Sequence, residues 1–388
     1  MVGTPQLTES SEIVRAPGLT LDPRHPLSRA FRQAISDALV ALVDAQAGSL
    51  RAMGPELEPV LGMAHRAAAG GKRIRPAFCT WSYLAAGGAV ADLPAVIRAA
   101  ASLELLHVSA LVHDDVMDSS DLRRGEPSVH RQFEILHEES GWLGAADGFG
   151  RSVAILLGDL LVMWSAQLIQ RSGLSAEALA RSLPLVEEMR TEVTCGQYLD
   201  VVAQVQPLRT GPEGGADIGR ALDEASRVVE FKSARYTVRR PCQSGAAMAG
   251  APTELIEALG AYGSPLGRAF QFRDDVLGVF GDPGVTGKPA GDDLREGKRT
   301  VLIAHALAGA DARGRELLAS RLGDPVLDES GIAELQAVII ASGALQEVEA
   351  MIGAGHRQAV RALADADLTP AGRTALTALA DLAVHRDT

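Results

Sequence analysis

At 388 residues the chain has room for one large domain or two to three ordinary ones. A hydrophobic content of 47% with only 4% aromatics points to an Ala/Leu/Val core of the helical-bundle kind, since strand-rich proteins lean on aromatic and β-branched residues. A formal charge of −12 argues against non-specific nucleic-acid binding and against anchoring on anionic lipid. Cys79, Cys195 and Cys242 are odd in number and far apart, which suggests neither a disulfide framework nor a zinc site and fits a reducing cytosol. No continuous apolar run approaches the length of a membrane span, and the opening MVGTPQLTESSE lacks the apolar core of a signal peptide.

In chain order, residues 1 to about 27 read as a polar, proline-bearing flexible tail. A helical pattern runs from Ser28 past Leu50, and Gly70-Gly71 then interrupts it within HRAAAGGKRIRP. Lys72 and Arg75 lie on that glycine turn, where their side chains can converge on a phosphate. Helices are expected over 76–87 and 93–118, followed by a loop from Ser119 to Ser128 carrying Arg123 and Arg124. Further helices are expected at about 151–171, at about 175–204 with Gln197 and Asp200, from the end of the Pro207–Gly219 loop through Tyr236, and at 253–281. The last 90 residues or so give about four amphipathic helices. No strand and no fixed repeat stands out, so 28–388 is expected to be a single all-α domain.

The chemistry concentrates in LELLHVSALVHDDVMDSSDLRRGEPSVH, residues 103–130. At about 100° per residue Asp114 and Asp118 share one face, with His107 two turns earlier on nearly the same line. An acidic turn on a solvated helix is the ordinary explanation of a lone DDxxD. Here the carboxylates, Asp115 among them, end an apolar helix, where the macrodipole disfavours negative charge, and that calls for a cation. Oxygen ligands with an open remaining shell suit Mg²⁺. About 160 residues later Asp274 and Asp275 repeat the theme, with Gln271 one turn before and Lys288 and Lys298 in the next loop. Two acidic clusters, each trailed by cations, suit a diphosphate held between helices.

GGKRIRP, HDDVMD with SSDLRRG, EFKSARYT and FQFRDDVLGVFGDPGVTGKPAGDDLREGKRT together resemble the signatures of the trans-isoprenyl diphosphate synthases, or polyprenyl synthetases, over roughly residues 60–305. They resemble in particular the actinobacterial geranylgeranyl diphosphate synthase type. The resemblance implies an all-α isoprenoid-synthase bundle around an apolar pocket, working as a homodimer. It implies a Mg²⁺-dependent head-to-tail condensation of isopentenyl diphosphate with an allylic diphosphate. Asp114 and Asp118, supported by Asp115, would hold two Mg²⁺ ions, and Asp274, with Asp275 nearby, a third. Arg123, Lys232, Lys288 and Lys298 would grip the allylic diphosphate, with Ser233 and Gln271 beside them. Lys72, Arg75, His107 and Arg124 would hold the diphosphate of isopentenyl diphosphate.

Two positions qualify the match. Many relatives have DDxxD as the second motif, but Gly278 stands at its fifth position here, which rests the metal load on Asp274. The family places bulky residues four and five positions before the first aspartate when growth stops at fifteen carbons. Ala110 and Ser109 are small, so a twenty-carbon geranylgeranyl product is expected. Ala110 lies one turn from Asp114 on a similar face, whereas Ser109 points well round the helix and rests on the family rule alone. The alternatives are a farnesyl or longer-chain synthase, a class I terpene cyclase, which needs no second diphosphate pocket, and a non-catalytic synthase subunit.

Overall fold

The computed structural model describes residues 13–16, 18–206, 215–282 and 291–385. The described chain begins with a small antiparallel hairpin, β1 (Val14–Ala16) with β2 (Leu19–Leu21), in which Val14 is opposite Leu21. Leu21 is fully buried and Trp81 Nε1 donates to Pro26 O at 3.2 Å, so the part of the expected tail from residue 13 onward is packed against the bundle. Short apolar strands escape a periodicity search because they offer too few residues to establish a pattern.

Helix α1 (Arg29–Met53) starts where Ser28 accepts a hydrogen bond from Phe31 N, and it buries Phe31, Ile35, Leu39, Val43, Ala47 and Leu50 along one stripe. Helix α2 (Glu58–Ala69) leads to the glycine turn, and α3 (Ile74–Ala85) follows. Helix α4 (Leu93–Met117) is buried on nearly all sides, as its apolar run requires, and Asp118 caps its C-terminus. Between α4 and α5 (Val129–Glu139) the expected loop contains a second tiny hairpin, β3 (Leu122–Arg123) with β4 (Glu126–Pro127). Helix α6 (Ala146–Gln170) packs along α4, and α7 (Ala176–Val205) follows.

Helix α8 (Gly215–Val228) runs without a break in helical backbone into a π-helix, Val229–Arg239, and then α9 (Arg240–Ala249). This widened stretch interrupts the α-helical pattern of the core, and such insertions are frequent at functional sites. It lies hard against α7: a Cβ at Gly196 would collide with the Lys232 amide nitrogen. Ion pairs hold it in place, with Glu230 bonded to Arg235 (2.9 Å) and Arg268 (3.0 Å), and the buried Glu192 of α7 taking both Arg235 and a bidentate Arg240.

Helix α10 (Thr253–Phe280) packs on the π-helix and on the later α15. A short α11 (Asp292–Arg295) precedes α12 (Val301–Gly309), α13 (Ala312–Arg321), α14 (Glu329–Ala341), α15 (Ala344–Ala364) and α16 (Pro370–Val384). The C-terminal region thus holds five helices after α11, where the amphipathic pattern indicates about four.

Among the described residues two helices, Val90–Met117 and Ala146–Gln170, are long and apolar enough to cross a membrane by length and composition, although charged residues interrupt the apolar run of each. Burial accounts for the first, whose most apolar stretch is 78% enclosed by the fold, while α6 is 44% enclosed and keeps an open apolar face.

Candidate active site

Both acidic clusters sit at C-terminal helix ends, Asp114–Asp118 closing α4 and Asp274–Asp275 in the last two turns of α10. Unsatisfied carbonyls there add negative potential to that of the carboxylates, so each end seeks cations. The fold delivers them. Lys232, on the π-helix, places Nζ 2.6 Å from Asp200 Oδ2 and 3.2 Å from Asp114 Oδ1. Gln197, one turn before Asp200 on α7, donates from Nε2 to Asp114 Oδ1 at 2.8 Å. Burial raises the Asp114 carboxyl, but Lys232, Lys298 and Arg123 outweigh it and hold it at about 2. Burial likewise lowers Lys232, and Asp114 and Asp200 more than reverse that, so it stays charged.

Lys298 ties the first cluster to the loop after α10. Its Nζ lies 3.7 Å from Asp118 Oδ2, 3.3 Å from Asp293 Oδ1 and 2.5 Å from Glu296 Oε2. One ammonium among three carboxylates leaves an excess of negative charge. Asp118 is accordingly raised to about 6, first by burial and then by repulsion from Asp114. Asp275 is pushed further, to about 8, by burial, with Asp293 and Asp274 adding repulsion and the Gln271 hydrogen bond (2.8 Å) opposing it.

The basic turn gathers a separate group. Gly71 at φ +120° and Arg73 at φ +59° shape it. Arg73 is 1% exposed and satisfies Ala68 O (2.6 Å), Ala69 O (3.2 Å), Ser36 Oγ (3.1 Å) and Glu104 Oε1 (3.1 Å), thereby closing the end of α2. Arg124, also left-handed at φ +56°, reaches back so far that a Cβ at Gly70 would collide with its Nη1. Arg75 donates to Thr237 Oγ1 at 2.9 Å and lies over the Tyr236 ring, 4.1 Å from its centroid. His107 Nδ1 meets Tyr236 Oη at 2.7 Å, and burial, reinforced by Arg75, Arg124, Arg123 and Arg73, holds the imidazole neutral.

Lys72, Arg75, His107 and Arg124 therefore belong to one neighbourhood around the turn, while Lys232, Lys298, Gln271 and the aspartates belong to the acidic one. Ser233, beside Lys232, is buried on the π-helix. Arg123 binds Asp115 through both Nε (2.9 Å) and Nη2, which commits the Asp115 carboxylate to a buried ion pair. Lys288 lies outside the described residues. Ser109 is directed away from the Asp114 face: it is 1% exposed and its Oγ donates to Gly158 O of α6 at 2.8 Å. Ala110 is half-buried, one turn before Asp114.

Gln197 and Asp200, noted on their helix in the sequence without a role, are functional neighbours, and their three-residue spacing places both on one helical face. Asp293 and Glu296 escape sequence reading as charges in a loop already rich in them.

A model of the family described as Polyprenyl synthetase matches residues 59–339. The chain is a member of the polyprenyl synthetase family. As such it is a trans-prenyl diphosphate synthase, a prenyltransferase of isoprenoid biosynthesis with the all-α fold of that group. A short chain isoprenyl diphosphate synthase of Methanothermobacter thermautotrophicus is 33% identical over 83% of this chain and 89% of its own length. The geranylgeranyl diphosphate synthase of Mycobacterium tuberculosis is 32% identical over 83% and 81%. A solved geranylgeranyl pyrophosphate synthase of Corynebacterium glutamicum, complexed with isoprenyl diphosphate and magnesium, superposes with a TM-score of 0.86 at 40% identity, covering 94% of this chain and all of that one. Family members at 31 to 34% identity also carry farnesyl and nonaprenyl names, so likeness at this level leaves product length open.

The residues fit the magnesium chemistry of the family. Asp118 Oδ1 and Asp275 Oδ2 are buried oxygens with no hydrogen-bond partner, and the donors are all oxygen. Among the described residues no three His, Cys, Asp or Glu side chains close on a single point, so an ion held there would take the rest of its ligands from substrate and water.

Proposed function

We propose that the chain condenses isopentenyl diphosphate with an allylic diphosphate, head to tail, to give an all-trans product of twenty carbons, geranylgeranyl diphosphate. The observation that carries this reading is the pairing of two cation-seeking acidic helix ends with a separate cluster of bases around the glycine turn. One diphosphate is to be ionised and a second merely held, and a class I cyclase has no use for the second cluster.

Magnesium, when bound, neutralises the charge that develops on the departing diphosphate. Asp114 and Asp118 would hold it at the first wall and Asp274 at the second, with three ions expected. Lys232 and Gln197 fix the orientation of Asp114 Oδ1, and Asp200 in turn anchors Lys232. Lys232 and Lys298, both charged, add stabilisation as the leaving group forms, and Lys288 and Arg123 are assigned to the same diphosphate. Lys72, Arg75, Arg124 and neutral His107 seat the second diphosphate. The apolar walls of α4 and its neighbours exclude water from the allylic cation until the double bond attacks. The released diphosphate takes the final proton, so no protein base is assigned.

Ala110 is the residue that leaves the pocket floor open. The partly open apolar face of α6, with Ile155 (44% exposed), Leu156 (62%) and Met163 (57%), supports a homodimer. Incubation with isopentenyl diphosphate, each of the dimethylallyl, geranyl and farnesyl starters and Mg²⁺, followed by product chromatography, tests the reading. Failure to form a condensation product from any starter overturns it.

A further inference from the structure

We propose that Arg190 forms the floor of the product pocket and so sets the length at which chain growth stops. The inference rests on the synthase reading given above, and it names the residue that ends elongation once Ala110 leaves the upper part of the pocket open. Helix α4 packs on α6, whereas α7 packs on the π-helix and α9. Side chains bridge the space between α7 and the α4–α6 pair at two levels. At the top, Gln197 Nε2 of α7 donates to Asp114 Oδ1 at 2.8 Å. Lower down, Arg190 Nη2 donates to Ser165 Oγ of α6 at 3.3 Å, and that hydroxyl donates to Ser102 O of α4 at 2.8 Å.

Apolar side chains occupy the stretch between the two bridges. Ala110 and Leu106 follow Asp114 down one side of α4 at intervals of four, and His107 beside them is taken up by Tyr236 of the π-helix. Leu161 stands one turn from Ser165 on α6, and Val193 lies between Arg190 and Gln197 on α7. Leu106, Leu161 and Val193 are all buried. From Asp114 to Ser102 the distance along α4 is about 18 Å, comparable to four isoprene units drawn out straight. A prenyl chain descending between these walls meets the guanidinium at its far end.

A clasp between helices does not by itself call for this chemistry. Arg190 is half-buried, its Nε is enclosed with no hydrogen-bond partner, and Ser165 and Ser102 are buried. A leucine at position 190 would join the same helices without leaving a guanidinium nitrogen unsatisfied. What the polar layer adds is resistance to hydrocarbon. An isoprene unit forced past it would part Arg190 from Ser165 and strand both groups against an apolar chain.

Product chromatography of the full chain with farnesyl diphosphate, excess isopentenyl diphosphate and Mg²⁺ tests this. The wild type is expected to stop at twenty carbons. Arg190→Ala opens the floor and is expected to raise the ratio of longer products to geranylgeranyl diphosphate about tenfold or more. Arg190→Met, which fills the space without a charge, is expected to raise it less, and Arg190→Lys to keep the wild-type pattern. If Arg190→Ala does not fold, Arg190→Met decides. An unchanged ratio in the deciding variant overturns the inference, and so does an Arg190→Lys chain as permissive as Arg190→Ala. A wild-type chain that forms no condensation product from any starter sinks the functional reading instead, whereas one that makes geranylgeranyl diphosphate with its pattern unmoved in the variants sinks this inference alone.

Discussion

Ser120 Oγ donates to Glu296 Oε1 at 2.8 Å, across 176 residues of chain. This bond ties the exit of α4 to the loop that bears Lys298, and Glu296 passes the connection on at 2.5 Å to the ammonium itself. The end of α4 is thus tied to the loop after α10 through side chains that belong to neither aspartate motif. Positive φ at Ser119 (+53°) lets the chain turn sharply enough to put Ser120 there.

The crowded carboxylates give the metal-free protein a characteristic response to pH. Asp118 (about 6) and Asp275 (about 8) titrate above the ordinary value of about 4, so between these limits the folded state binds more protons than the unfolded one. Stability contributed by these groups falls as pH rises from about 4 to 8. Asp114, held at about 2, acts oppositely, and its contribution is lost only as pH drops below 4. Thermal melts without metal are expected to shift downward from pH 5.5 to pH 8, and Mg²⁺ with pyrophosphate to raise the melting temperature more at pH 8. A metal-induced increment that is largest at pH 5.5 contradicts this assignment.

Asp200 touches Lys232 rather than any reacting atom, so it is a positioning residue. Asp200→Asn removes the shorter of the two contacts that hold the ammonium (2.6 Å against 3.2 Å). A loss of about 10- to 100-fold in kcat is expected, with KM for isopentenyl diphosphate nearly unchanged. Steady-state kinetics on both substrates separates this from general unfolding, which lowers the active fraction without such a split.

Ala110 and Ser109 should respond differently to the same enlargement. Ala110→Phe fills the half-buried surface below Asp114, and chromatography is expected to show products shortened toward fifteen carbons with little loss of stability. Ser109→Phe drives a ring into the α4–α6 contact, where the hydroxyl meets Gly158 O. It is expected to cost about 1–3 kcal/mol in denaturant unfolding. Equal shortening by both, with equal stability, contradicts the orientation of these residues.

Arg73 and Glu104 form a buried ion pair at 1% and 2% side-chain exposure. Arg73→Met strands the Glu104 carboxylate and leaves the Ala68 and Ala69 carbonyls of α2 without their partner. A destabilisation of about 3–5 kcal/mol is expected by urea unfolding. Glu104→Gln, which retains a hydrogen-bond acceptor, is expected to cost less.

The sequence by itself determined the helical class, the boundaries of α4, α7 and α10 to within a residue or two, and the placement of Asp114, Asp118, Asp274 and Asp275 on the last turns of α4 and α10. Those features are written in local periodicity and in charge placed against an apolar background, which neighbouring residues are enough to reveal. Only the tertiary structure decided which cation meets which carboxylate. Lys232 reaches Asp114 because a π-helix lies against Gly196, and Asp293 stands over Gly278 because Leu294 is anchored in the core. The N-terminal hairpin and the inward turn of Ser109 toward Gly158 belong to the same class. Each depends on packing between segments distant along the chain, and the free energy of such contacts is set by shape and burial that no local pattern encodes.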